Sequence, residues 1–509
     1  MNQRFYGMIR AAIGGAAIAA VLAAWLPANA QPTPAPFAGP GAIPTLAPVS
    51  PGEALPTLAP ANSGTPLPYP AFGTPAPGQS PTAVPGIPQT ITLQQAVAIA
   101  AARSPALAAA RGDAALAAAP LKAASLAFFP AISGTASTTR NYSQQSGAIP
   151  SATATPGVRT FGSGWSTSNS VGASLRQTIF DGGKLLAQLR SAQANAVAGL
   201  DTYRRAAQTL SYNVANAYYS ALEAARATQV AVETLRLDET QEALVVAQYR
   251  VGAAARTDIV TAQLPVAQAR LALVRAQGTE LTAYAQLANT IGIDANADVR
   301  PADNPSDYST AGVQSIPVPA YDTALKRAYA LRPDYEASQK DVSASKYNLR
   351  VARLGLFPTI TGGASMGSSS TDPQGGTFRN ASSLGLTLSV PIFDQGYTAA
   401  NIASAQASLA IAQANLDNTD LGLQLSVKQG LIGLISARGG VDQANVELLK
   451  AAEVLHATQA QYKAGVTTLP LLLNAQVGYT TALTDQATAV YTLRQAEQAF
   501  ELATGEIAY

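Results

Sequence analysis

The sequence predicts a mainly α-helical protein with a membrane β part, built as two tandem repeats that each hold two strands and a long antiparallel helical hairpin. Three observations predict it. The first is that the 509-residue chain contains itself twice. Ile179-Phe180-Asp181-Gly182 returns as Ile392-Phe393-Asp394-Gln395-Gly396, Ser191 to Ala194 as Ser404 to Ala407, and Gln248-Tyr249-Arg250-Val251-Gly252 as Gln461-Tyr462-Lys463-Ala464-Gly465, all at an offset of 213 residues. Pro105 and Phe129-Pro130 return as Pro333 and Phe357-Pro358 at an offset of 228, so the first repeat carries 15 extra residues between Pro130 and Ile179. A repeat that holds its register over such lengths is an architectural unit. The second observation is strand-like alternation before each Ile-Phe-Asp segment. The third is a proline-free run of 69 residues after it, Asp181 to Tyr249 and again Asp394 to Tyr462.

Composition bounds the rest. Charged residues are 12% of the chain and the net charge is +2, which gives no basis for nucleic-acid binding. Cysteine is absent, which excludes disulfides, thiolate metal sites, a cysteine nucleophile and a lipidated N-terminal cysteine. Residues 1–30 read as a signal peptide: Arg4 and Arg10, an alanine-rich apolar core, then Ala28-Asn29-Ala30 as a small-x-small cleavage site. An N-terminal membrane anchor is the alternative for this segment. No later segment has the ~20 consecutive apolar residues that a spanning helix needs. Residues 31–89 hold 17 prolines and one charge, Glu53, and read as an extended linker without a core. The first repeat is then expected at 90–300, a connector at 301–319 and the second repeat at 320–509.

Each repeat reads helix, strand, loop, strand, long helix, turn, helix. Helices are expected at Thr92 to Arg103 and Ala106 to Leu126, broken at Ser104-Pro105, and at Tyr321 to Leu331 and Asp334 to Leu356, broken at Arg332-Pro333. Leu384, Leu386, Leu388, Val390 and Ile392 alternate with Ser383, Gly385, Thr387, Ser389 and Pro391. Shifted back by 213, the apolar set becomes Val171, Ala173, Leu175, Gln177 and Ile179. Such alternation marks a strand with one greasy and one wet face, at the length of a transmembrane strand. Ile132, Gly134, Ala136 and Thr138, and Ile360, Gly362, Ala364 and Met366, do the same more weakly after the Phe-Pro pairs. A small soluble sheet is the alternative. Asn141 to Asn169 and Ser368 to Ala381, rich in Ser, Thr, Gly and Asn, are expected to be loops, with Tyr142 and Trp165 near strand ends where aromatic belts form.

The 69-residue runs correspond to helices of about 100 Å. Ile402, Leu409, Leu416 and Leu423 recur every seven residues, as do Leu189, Ala196, Tyr203 and Leu210, which predicts coiled-coil packing. Asp181 and Asp394 are expected to cap these helices. Gly252 and Gly465 are expected to end them, and Thr257 to Thr290 and Thr468 to Thr504 to run back.

Four strands are too few to close a membrane barrel, and an open sheet would leave backbone groups bare in lipid. Two, three or four copies must therefore share one barrel. No catalytic constellation appears, no cofactor is called for and no metal site is expected. His456, the single histidine, sits on a helix without a second ligand, and Gly182-Gly183-Lys184 is followed by Leu185 where a phosphate loop needs Ser or Thr.

The Phe-Pro elements entering each strand pair, the Ile-Phe-Asp junctions with a glycine close behind, the Ser-Ala-x-Ala segments and the Tyr-x-x-Gly hairpin tips, in order and twice over, make the chain resemble the TolC-like outer-membrane efflux proteins from about Thr92 to Gly505. The resemblance implies a homotrimer with a shared 12-stranded barrel in the outer membrane of a Gram-negative bacterium, in contact with outer-membrane lipid and continued by an α-helical tunnel through the periplasm. It implies a passive exit duct for tripartite efflux or type I secretion, docked by a periplasmic adaptor protein to an inner-membrane transporter. Val251, Gly252 and Ala253, with Gly465 and Val466, resemble the adaptor-binding tip motif. Asp258 and Tyr462 match two members of the family's tip gate. Thr467 stands where the gate's arginine would be, and Leu471 and Asn474 where acidic rings would be, so closure is expected to rest on a Tyr462–Asp258 hydrogen bond and a constriction at Leu471, with poor binding of divalent cations. A periplasmic coiled-coil adaptor, or a structural spacer without a channel, is the alternative; it would lack the two amphipathic strand pairs.

Overall fold

Short polar and proline signals set where the first repeat begins and bends. β1 (Thr90–Ile91) leads into α1 (Leu93–Arg103) through a capping box, in which Thr92 Oγ1 accepts from the Gln95 N–H at 3.3 Å and Gln95 Oε1 accepts from the Thr92 N–H at 3.0 Å. Ser104 then caps α2 (Pro105–Leu126), where proline occupies the first helical position and no donor is needed. Strands β2 (Ala131–Gln145) and β3 (Gly162–Phe180) follow, then the 67-residue α3 (Lys184–Arg250), its return helix α4 (Arg256–Thr290), and β4 (Arg300–Pro301), which pairs in parallel with β1. The computed structural model describes residues 89–145, 162–302, 318–372 and 377–507, all within the compact unit Ala71–Tyr509. The signal peptide expected at 1–30, nearly all of the linker at 31–89 and most of the connector at 301–319 lie outside the described residues.

The second repeat copies the order. α5 (Tyr321–Leu331) and α6 (Pro333–Arg353) meet at Arg332, a 3-10 turn covers Leu354–Leu356, and β5 (Thr359–Asp372) and β6 (Arg379–Ser389) lead into the 67-residue α7 (Tyr397–Lys463) and α8 (Leu469–Thr504). Within each repeat the long helix packs along its return helix and along the helix before the strands. The repeats join because α3 also packs on α6 and α8.

The repeat offset survives in three dimensions. Gly292 (φ +77°) follows α4, and a Cβ there would stand 3.0 Å from the Arg103 carbonyl oxygen in the first elbow. Its counterpart Gly505 (φ +79°) follows α8, and a Cβ there would stand 2.9 Å from the Leu331 carbonyl in the second elbow. Only glycine suits both the left-handed backbone and the close approach. Each elbow is thus pinned under the end of its repeat's return helix. One core gathers Ile91, Tyr218, Leu222, Leu287 and Ile291 around α3, and a second gathers Leu423, Val427, Leu434, Leu493 and Phe500 around α7. Leu423 is fully buried and His456 lies exposed on α7.

The strands run further than alternation suggested. β2, β3, β5 and β6 form one antiparallel sheet in the order β2-β3-β5-β6, with lengths of 15, 19, 14 and 11 residues. Much of the two expected loops, Asn141 to Asn169 and Ser368 to Ala381, is therefore strand; residues 146–161 and 373–376 lie outside the described residues. Polar residues on both faces hid these ends, and backbone pairing extends them regardless. At the other end the expectation overshot: β6 stops at Ser389, so Val390 and Ile392 lie beyond it. Pro391 follows directly and has no N–H to offer a ladder.

Candidate functional site: a two-faced sheet and a paired hairpin tip

The register aligns the four apolar sets on one face. Ile132 pairs with Leu175, Leu175 with Ala364, and Ala364 with Leu384, a single row across all four strands. Gly134, Ala173 and Met366 form the next row. The opposite face carries the row Ser133–Ser174–Ser365–Ser383, with hydroxyl–hydroxyl bonds of 2.8 Å between Ser133 and Ser174 and between Ser365 and Ser383. Gln177, the odd member of the apolar set, ties the sheet to the preceding turn: its Nε2 donates to the Phe128 carbonyl at 3.1 Å. A bulge at Thr178–Phe180 lets Ile179 lie over Gly362, whose absent side chain leaves it room.

Among the described residues nothing covers the apolar face. Leu384 is 88% exposed and Leu386 73%, and Ile132, Val171 and Met366 are exposed with them. Apolar surface left bare on this scale marks a face made for another medium or partner.

Strand passes to helix through the same device twice. Asp181 Oδ1 accepts from the Gly183 N–H at 2.9 Å and its Oδ2 from the Leu185 N–H. Asp394 accepts from the Gly396 and Thr398 N–H groups at 3.1 and 2.8 Å. Both carboxylates cap first-turn amides, as the sequence predicts, from two residues ahead of the N-cap glycines Gly183 and Gly396.

Far from the sheet, both hairpins turn on Schellman motifs. Ala253 N–H bonds to the Gln248 carbonyl at 2.8 Å and Gly252 N–H to that of Tyr249 at 3.0 Å; Val466 and Gly465 repeat this with Gln461 and Tyr462 at 2.9 and 3.0 Å. Gly252 and Gly465 have φ +75° and +70°, and added Cβ atoms would meet open space. Val251 and Val466 are 79% and 77% exposed, and Ala253 is exposed beside them.

The two tips pack on each other through Val245, Ala262 and Leu469, flanked by Ile259, Tyr462 and Leu473. Here the expected bond is corrected. Tyr462 donates its hydroxyl to Gln248 Oε1 at 2.9 Å, not to Asp258. Asp258 is occupied at home, where its Oδ2 accepts from the Ala255 N–H at 2.9 Å and caps α4. The Tyr462 phenol is pushed above its ordinary value by burial and then by the Asp258 charge, which keeps it a donor. Leu471 and Asn474 are exposed and Thr467 half-buried in the protomer. Gln248, Val245 and Leu469 were missed. Gln248 did carry a signal, since Gln-Tyr-x-x-Gly is one of the repeated segments.

Among the described residues no helix is long and apolar enough to cross a membrane, and no group of three potential metal ligands occurs. A bare-faced amphipathic sheet that hands over to helices of about 100 Å defines a subunit of a membrane-embedded duct. Residues 96–293 and 324–506 match the family described as outer membrane efflux protein, and the chain belongs to that family. It is 27% identical over 342 residues to Protein CyaE of Bordetella pertussis, covering 67% of this chain and 71% of that one. It is 25% identical over 346 residues to outer membrane protein TolC of Escherichia coli, covering 64% and 67%. The Campylobacter jejuni CmeC outer membrane channel has the same fold, with a TM-score of 0.69 at 18% identity over 84% of this chain and 91% of that one. The protein is an outer-membrane channel component of an efflux or secretion system, not an adaptor or a spacer, and its family is not one of enzymes.

Proposed function

We propose that three copies pool their strands into a 12-stranded barrel, with the Ser133–Ser174–Ser365–Ser383 row facing the lumen and the Ile132–Leu384 row facing lipid. The long helices continue the wall as a periplasmic tunnel. The duct is passive: an inner-membrane transporter supplies the energy, and a periplasmic adaptor docks at Val251-Gly252-Ala253 and Gly465-Val466. In the resting protein the tips are held shut by the Tyr462–Gln248 bond, with Leu471 as the constriction. With Asn474 and Leu471 where carboxylate rings would stand, the tip binds divalent cations poorly.

The observation that carries this reading is the unpartnered surface of the protomer. Among the described residues, strands β2 and β6 each have one unpaired edge. Along α7, Leu421, Leu425, Ile432, Ile435 and Val446 are exposed at coiled-coil spacing. On α3 the counterpart of Leu421 is Gln208, which is buried against the second repeat and donates to the Gly505 carbonyl at 3.0 Å, while Arg205 beside it donates to that of Leu502 at 2.9 Å. α7 has no third repeat to cover it. A neighbouring copy's first repeat supplies that cover, in a head-to-tail contact that closes into a ring.

Because the chain has no cysteine, pairs introduced one on β2 and one on β6 report only the designed contact. Oxidation of the protein in outer membranes should give covalent dimers and trimers and nothing larger. A ladder ending at dimers, or no crosslinking from any register, overturns the shared barrel. Relatives with printed names such as alkaline protease secretion protein AprF and pyoverdine export outer membrane protein OpmQ carry different cargoes. The transporter, not the duct, is therefore assigned the choice of substrate.

A further inference from the structure

The lipid-side face of the sheet carries a charge where its apolar rows have ended. By strand alternation Arg140 shares a face with Ile132, Gly134 and Ala136, and it pairs in register with Thr167. Its guanidinium carbon stands 4.9 Å from the centre of the Trp165 ring, and Trp165 in turn packs on Tyr142 with ring centres 5.2 Å apart. Arg140, Tyr142 and Trp165 are all exposed. No carboxylate pairs with Arg140 among the described residues.

The height of this cluster is set by the register. Apolar residues on this face run from the Ile360–Leu388 pair to the Ala136–Val171 pair, whose row continues into the polar Ser368 and Asn380, eight residues along a strand. That is ~27 Å of strand and ~20 Å of height at a barrel's usual tilt, close to the lipid-facing band of outer-membrane barrels. Arg140 lies four residues further, ~10 Å above the band, at the end of the sheet away from the helices.

We propose that Arg140, held on Trp165 and Tyr142, is a binding site for the phosphate of a lipid headgroup in the outer leaflet; this rests on the barrel reading above. Stacking occupies the face of the guanidinium and leaves its in-plane N–H groups free for a two-point contact with phosphate oxygens. The indole and phenol rings sit at the depth where aromatic residues meet the top of the acyl chains. A phosphate tethered to a lipid is the fitting ligand, because the site is shallow and one exposed guanidinium holds free phosphate only weakly.

Trp25 and Trp165 are the only tryptophans, so a Trp25→Phe background makes emission a report on Trp165. Titration of the full-length protein in neutral detergent with phosphorylated lipid A should change that emission saturably. Arg140→Gln should raise the midpoint about fivefold, as expected for one interfacial charge, with Arg140→Lys between the two. On the unmutated site, dephosphorylated lipid A should bind as weakly as phosphorylated lipid A binds the Gln variant, an arm that does not depend on the variant's folding. Equal midpoints for the two lipids, or for native and Gln proteins, overturn the site, and inorganic phosphate reproducing the change overturns the lipid-borne ligand. A separate arm places the only tryptophan at Leu386 and measures quenching by brominated acyl chains. Absent quenching there sinks the barrel reading itself, whereas strong quenching with equal lipid midpoints sinks only the Arg140 site.

Discussion

At the scale of single residues, the tip is held by a neutral hydrogen bond. Tyr462 and Gln248 link the two hairpins of one protomer through a contact of 2.9 Å. A neutral pair of this kind is worth about 1 kcal/mol, less than a link to a carboxylate. Tyr462→Phe and Gln248→Leu should each raise single-channel conductance in planar bilayers, and the double variant should add nothing. Unaltered conductance in both would remove the pair from the gate. Asp238 in α3 poses a different question, because it is buried and its carboxyl is pushed up to about 6 by desolvation. The folded state therefore holds that proton more tightly than the unfolded chain, whose aspartates titrate near 4. The contribution to stability is complete below about pH 4 and is lost as pH rises through about 6. Asp238→Asn should raise the thermal midpoint above pH 6 and leave it unchanged near pH 4, read by circular dichroism at the two conditions.

At the scale of the element, the sheet makes the sharper prediction. Leu386 and Thr387 are neighbours on opposite faces, paired with Gly362 and Thr361. Arginine at Leu386 should cost ~2–4 kcal/mol near the bilayer midplane and deplete assembled protein in outer membranes. Arginine at Thr387 should be tolerated, because in the proposed barrel that side faces the lumen. Equal yields of assembled protein from both would mean that the faces are misassigned.

At the scale of the whole molecule, the tips concern partners. Their glycines already have a sufficient structural reason in their left-handed backbone, so docking must be tested through neighbours that lack it. Ala253→Trp and Val466→Trp add bulk to exposed positions outside the Val245–Ala262–Leu469 core. Both should assemble normally and lose transport. Full transport by either variant would move the docking surface elsewhere.

The sequence by itself determined the repeat, the order of elements, both elbows, the carboxylate caps and the Schellman glycines. Each is written in local chemistry: proline without a donor, aspartate beside free amides, glycine with positive φ. It also determined which strand residues share a face, because alternation has a period of two. The sheet ends were not legible, since serine-rich strands and serine-rich loops look alike until pairing is known. Nor was the tip bond. Asp258 and Tyr462 have the right types and places, but Asp258 is taken by the Ala255 amide three residues away, and only the packing of Val245 and Leu469 brings Gln248 to Tyr462. The same holds for Arg140 over Trp165, 25 residues apart in the chain and adjacent only across the β2–β3 ladder. Local rules give the elements; which side chains meet between elements depends on register and helix packing, and those are properties of the folded whole.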